Sequence, residues 1–195
     1  MRKRMSPHGD KDHMGEAKKI VESISVNKVI FNVGSYNYLE KDLIKTLKKK
    51  NIRYYKNIEN IYIGNNPIYF LNTGIYNNEN DNSNVLYFIV NNYKFLLMGD
   101  AGVDKEKDIL DEYNLSDIDV LIVGHHGADT SSSKEFIDIM NPKYSIISVG
   151  KNNRYGHPNK EVLNNLEDSK IYRTDKEGTI KIIIKKNKYK ILTNS

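Results

Sequence analysis

Two histidines and two aspartates stand within six residues near the start of the chain, in His8-Gly9-Asp10-Lys11-Asp12-His13. Imidazole nitrogens and carboxylate oxygens gathered in one segment suit divalent transition metals. Alternate side chains of His8, Asp10 and Asp12 can point the same way while Asp12 and His13 straddle a turn. Such a segment would feed two metals about 3.5–4 Å apart, the spacing used by two-metal hydrolases. A plainer reading makes Asp10 or Asp12 the cap of a helix beginning near Met14, but capping occupies one such residue and leaves the other three unexplained.

The remaining histidines, His125, His126 and His157, also fall in glycine-flanked loops, and none of the chain's five lies inside an apolar run. Asp100 follows Met98-Gly99 at the end of an apolar strand candidate, a position from which a carboxylate can bridge two ions. His125-His126 follows Gly124 and precedes Gly127. Adjacent side chains at a strand end point to opposite sides. One of the two is then expected to be a direct ligand, while the other orients a ligand or touches substrate; the plainer alternative is a pair of exposed loop histidines. In Asn153-Arg154-Tyr155-Gly156-His157-Pro158, His157 is placed to protonate a leaving group or hold a phosphate oxygen, or it stiffens the loop. Ser131-Ser132-Ser133 reads as a helix cap, Ser133 or Ser132, before Lys134. No Gly-x-Ser-x-Gly elbow supports a serine hydrolase.

Elements that would position these residues alternate along the chain. Strand candidates are 29–31, 61–63, 68–71, 85–90, 95–98, 120–123, 145–149 and 179–184, by β-branched and aromatic content. Helical spacing covers 14–24, 39–47, 105–113, 134–140 and 160–166. Interleaving of this kind predicts α/β layers, with active-site residues on loops at strand ends. Asn77 to Asn84 is a polar loop.

The 195 residues suit a single domain, 1–195, able to bury a core without staples. Cysteine is absent, which excludes disulfides, thiolate metal sites and a cysteine nucleophile. No segment approaches the roughly 18 apolar residues of a membrane span, so the chain is expected to be soluble. Thirty basic against 25 acidic residues leave a net charge of +5. The lysines cluster at Lys48 to Lys50 and at Lys185, Lys186, Lys188 and Lys190. That balance fits a polyanionic partner or simply a solvated lysine-rich face.

Taken in order, these motifs resemble the metallo-β-lactamase-fold domain of ComEC-type DNA-uptake (competence) proteins. The resemblance rests on His8 to Gly15, Asn80-Asp81-Asn82-Ser83, Met98-Gly99-Asp100, Asp119 to Gly127, Thr130-Ser131-Ser132, Pro142, Ile146 to Pro158 and Thr174 to Ile180. It implies an αββα sandwich with a metal site at one edge. It also implies that His8, Asp10, Asp12, His13, Asp100 and one histidine of the pair, with His125 favoured because it directly follows Gly124, hold two divalent ions. Asp12 and His157 would serve catalysis, and His126, Ser83, Asn153 and Tyr155 would support the site or touch substrate. The family at large carries histidine at the Asp10 position and a further histidine ligand before the bridging aspartate. The oxygen-richer set here moves the expected metals toward manganese or magnesium, with zinc also compatible.

Three departures stand out. The strands expected before the first histidine motif are missing, so the chain is expected to be a C-terminal fragment of a longer protein. Gly127-Ala128 and Asp129 replace the usual Gly-Ser, and Gly15-Glu16 replaces Gly-Gly.

By this resemblance the expected activity is hydrolysis of a phosphodiester, single-stranded DNA in competence-type uptake. The full-length protein would be attached to the bacterial membrane beside an uptake channel. The alternatives are a standalone hydrolase of a small ester, lactone or nucleotide, and a metal-poor DNA-binding or interaction module. Oligomeric state is not fixed by the sequence.

Overall fold

Alternation along the central strands decides which layer each side chain serves. The computed structural model describes residues 3–5, 11–185 and 188–194. Its largest sheet has seven strands, in order of sequence β4 (Asn60–Ile63), β5 (Asn66–Phe70), β6 (Leu86–Val90), β7 (Tyr93–Leu97), β8 (Val120–Ile122), β9 (Tyr144–Ile147) and β10 (Lys170–Arg173). Across the sheet they lie in the order β10-β9-β8-β7-β6-β5-β4. Strands β7 to β10 run parallel, and β4 to β7 pair antiparallel.

Leu96, Met98, Leu121, Val123 and Ile147 face one side. There they pack on Ile109 of α4 (Val103–Glu112), Phe136 and Met140 of α5 (Lys134–Met140), and Val162 of α6 (Lys160–Asn165). Their neighbours point the other way. Ile68, Phe70 and Leu86 meet Ile30 of a second sheet, and Phe95, Val120 and Ile146 meet Ile180, Ile182 and Ile184. These three isoleucines belong to the hairpin of β11 (Thr179–Lys185) and β12 (Lys188–Asn194).

The second sheet is parallel and three-stranded, β1 (Lys3–Met5), β2 (Lys28–Phe31) and β3 (Arg53–Lys56), in that order. Its outer face, Val29 and Phe31, is covered by Ala17 and Val21 of α2 (Ala17–Ser23) and by Leu43 and Leu47 of α3 (Tyr38–Lys49). Helix α3 opens with a reciprocal capping box between Asn37 and Glu40. Helices, sheet, sheet, helices form the expected αββα sandwich. Among the described residues no helix is long and apolar enough to cross a membrane.

Elements anticipated from spacing appear within two or three residues of their expected ends. Four strands were not anticipated. Arg53–Lys56 and Lys170–Arg173 are short and half polar, because they form sheet edges. Lys3–Met5 and Lys188–Asn194 carry too many lysines or too few residues to register as apolar runs. The helix expected from Met14 is divided. A one-turn α1 (Lys11–Met14) stops at Gly15-Glu16 before α2 begins at Ala17, so His13 lies on a helical turn rather than in a loop.

Candidate metal centre

Because β7, β8 and β9 run parallel, the loops that follow them emerge at one edge of the large sheet, where α/β proteins place their sites. The first carries Asp100, the second His125 and His126, and the third Ser148 and the Asn153–His157 segment. His13 arrives from the other layer, fixed by its neighbour Met14, which is buried in the core of the small sheet and its helices.

His13, Asp100 and His126 converge, each offering one ligand atom within 4.8 Å of the others. His13 Nε2 lies 3.0 Å from Asp100 Oδ2, and the His13 and His126 rings stack at 5.9 Å. His126 Nδ1 is 2.6 Å from the carbonyl oxygen of Ser148. A carbonyl can only accept, so Nδ1 carries the proton and Nε2 keeps its lone pair for a metal, the usual way a ligating imidazole is oriented. Two imidazoles and one carboxylate on convergent supports form an N₂O donor set suited to a divalent cation.

Asp100 is braced from below. Its backbone N–H donates to Ser83 Oγ at 3.0 Å, and the N–H of Gly102 donates to Asp81 Oδ1 at 2.7 Å. Both acceptors sit on the turn Asn80–Asn82 and its C-cap, and both residues are buried. Under this turn lies Lys105, fully buried, with no hydrogen-bond partner for its ammonium among the described residues. The Tyr76 ring stands 5.4 Å away. Burial lowers the Lys105 pKa from 10.5 to about 8, against the pull of Asp108, Asp81 and Glu112. Glu106, also buried, accepts from the backbone N–H groups of Ser132 and Ser133. Burial raises its carboxyl pKa, and those two donors limit the rise. Ser133 caps α5 through Phe136 N, as expected.

Directly after Gly124, His125 is the ligand that the sequence favours. The structure turns it elsewhere, with Nε2 3.4 Å from Asn80 Nδ2 and Nδ1 3.2 Å from Thr130 Oγ1. Both histidines have left-handed backbone, φ 47° for His125 and 57° for His126. The simple strand-end picture of one side chain in and one out does not assign them, and it is His126 that joins His13 and Asp100. His157 sits 6.0 Å from His125, ring to ring. Burial, together with His125 and His126, lowers its pKa. Asn153 binds the backbone of its own loop, and Tyr155 stacks on His157 in the open. His8 and Asp10 lie outside the described residues. Asp12 falls within α1, but its side chain is likewise outside them. Among the described residues the structure holds one three-ligand group.

Neither Ser148 nor Thr130 stands out from the sequence as a partner of these histidines. Ser148 acts through its carbonyl, which no residue type signals. Thr130 was visible only as part of a motif. A cavity of about 300 Å³ adjoins the group, lined by Leu86, Leu97, Ile122, Asn84 and Ser148.

The family model described as the metallo-beta-lactamase superfamily matches residues 8–151. The chain belongs to that superfamily. Its relatives agree with the resemblance to the competence-protein domain. ComE operon protein 3 of Bacillus subtilis (strain 168) is 31% identical over 180 residues, covering 89% of this chain and 23% of the relative. Competence protein ComA of Neisseria gonorrhoeae is 35% identical over 106 residues, covering 52% and 15% respectively. Recombination protein 2 of Haemophilus influenzae (strain ATCC 51907 / DSM 11121 / KW20 / Rd) is 34% identical over 106 residues, 52% and 13%. The chain thus spans less than a quarter of the length of these relatives. A solved structure of a metallo-beta-lactamase superfamily member from Thermotoga maritima aligns with a TM-score of 0.40 at 18% identity, over 75% of this chain and 70% of that one.

Proposed function

We propose that this superfamily hydrolase is a metal-dependent phosphodiesterase acting on single-stranded DNA, within a longer membrane-attached protein of competence-type DNA uptake. The observation that carries the reading is the convergence of His13, Asp100 and His126. A divalent cation bound there, manganese or zinc with magnesium also compatible, would supply Lewis acidity and an activated water. The chain's own part is to aim His126 through Ser148 and to hold Asp100 on Ser83, and His157 would serve to protonate the leaving group. A second ion would draw on His8, Asp10 and Asp12, and Asp12 would also serve catalysis.

Support for a polyanionic substrate comes from the hairpin. Its register sets Lys181, Lys185, Lys188 and Lys190 on the exposed face opposite Ile180, Ile182 and Ile184. Lysines so arranged hold a phosphate backbone without reading bases.

The deciding experiment is Mn²⁺-dependent cleavage of single-stranded DNA by the purified chain, with His13→Ala and Asp100→Ala as controls. Loss of cleavage in both variants is expected, and full activity in either overturns the reading. A second reading, hydrolysis of a small ester, lactone or nucleotide, is favoured by the apolar cavity of Leu86, Leu97 and Ile122 beside the metal group. Turnover of such a compound with no DNA cleavage would select it.

A further inference from the structure

We infer that Tyr155, held by His157 and flanked by Arg154, is a stacking platform for a nucleobase beside the metal group. This rests on the phosphodiesterase reading and names a contact within it. Five aromatic rings form a row from the ligands outward. Ring centroids are 5.9 Å apart from His13 to His126, 6.5 Å from His126 to His125, 6.0 Å from His125 to His157 and 5.8 Å from His157 to Tyr155. The last pair is stacked and nearly parallel, with 17° between the ring planes.

The row ends in solvent, since Tyr155 is 73% exposed, yet the ring is not loose. Its loop is tied by Asn153, whose amide donates to the carbonyls of Gly150 and His157 and accepts from the His157 N–H. Pro158 is buried against Gly127 of the histidine turn, and Asn159 N–H donates to the Gly127 carbonyl at 2.8 Å. A large exposed ring on a loop tied in this way has already lost part of the freedom that stacking would otherwise remove. The Arg154 guanidinium lies 5.7 Å from its centroid, a cation able to reach the phosphate next to a stacked base.

An aromatic face backed by a second ring and bordered by a cation is the arrangement by which single strands are held without sequence preference. The three ring steps from His126 put this platform at a base flanking the bond to be cut, not at the bond itself.

The chain contains no tryptophan, so Tyr155→Trp creates a single fluorescent reporter. Quenching of that fluorescence by a twelve-residue oligothymidylate is expected, with little quenching by an abasic strand of equal length. In binding assays, Tyr155→Ala should lose roughly 10-fold in affinity for the oligothymidylate. Tyr155→Phe should keep affinity near the parent, and affinity for the abasic strand should not change. An equal loss on the abasic strand, an unaltered affinity for oligothymidylate, or no binding by the parent chain overturns the inference. Turnover of bis-p-nitrophenyl phosphate by the parent chain reports separately on the hydrolase reading. Quenching without such turnover leaves the platform standing and removes the enzyme.

Discussion

His125 and His126 are chain neighbours, both in left-handed backbone, and their rings serve different partners. His126 meets His13 and Asp100, while His125 meets Asn80 and Thr130. The two therefore separate in a metal-binding experiment. His126→Ala should cut affinity for Mn²⁺ or Zn²⁺ by at least roughly 10–100-fold, and His125→Ala should leave the metal content of the purified chain near that of the parent. Elemental analysis and calorimetric titration of both variants check this, and the reverse order of effects would restore His125 as the ligand.

Gly127 is tightly constrained. Its φ is +78°, and an added Cβ would stand 2.7 Å from Pro158 Cβ. Gly127→Ala combines backbone strain with a clash against a proline that cannot swing away. The expected loss is about 2–4 kcal/mol of stability, read from the urea midpoint.

Ser83→Ala removes the acceptor of the Asp100 N–H in a buried setting. An orphaned donor there costs about 1–3 kcal/mol. Because that bond also orients a carboxylate of the candidate metal group, metal affinity should fall roughly 10–100-fold. Ser83→Thr, which keeps the hydroxyl, should recover most of the metal affinity.

Lys105 makes stability depend on pH. Unfolded, its ammonium holds a proton up to the ordinary 10.5; folded, only to about 8. Between these values the unfolded chain binds more protons, so the lysine's contribution to stability rises with pH, while below about 8 the cost of the buried charge is constant. Tyr76, Tyr87 and Tyr113, raised above their ordinary 10.0 by burial, oppose this only at higher pH. Relative to Lys105→Met, the parent should gain about 1–2 kcal/mol between roughly pH 8 and pH 10. Denaturant titrations at stepped pH measure it, and parallel curves would refute it.

Much of this architecture was legible because the central strands alternate cleanly. Leu96 and Leu121 against Phe95 and Val120 show two buried faces, and motifs at the ends of parallel strands fall together by topology. The choice within the histidine pair was not legible. It depends on two consecutive left-handed residues and on the Ser148 carbonyl, and neither leaves a residue-type signal. Edge strands such as Arg53–Lys56 were hidden for a related reason, since a strand paired to one neighbour has little apolar pattern to display. The brace under Asp100 was half visible, with Asp81 and Ser83 noticed as a motif but their hydrogen-bond partners unknown.

The donors of the candidate metal group come from both halves of the sandwich, His13 from the layer of the small sheet and Asp100 and His126 from the large one. A cation bound there joins segments 87 positions apart in sequence, much as a crosslink would. Occupancy at 100 times the dissociation constant adds about 2.7 kcal/mol to the folded state, and that gain falls on the seam between the halves. Chelation then loosens the seam first, so amide exchange should quicken along α1 and α2 before it reaches the strands under α4 and α5.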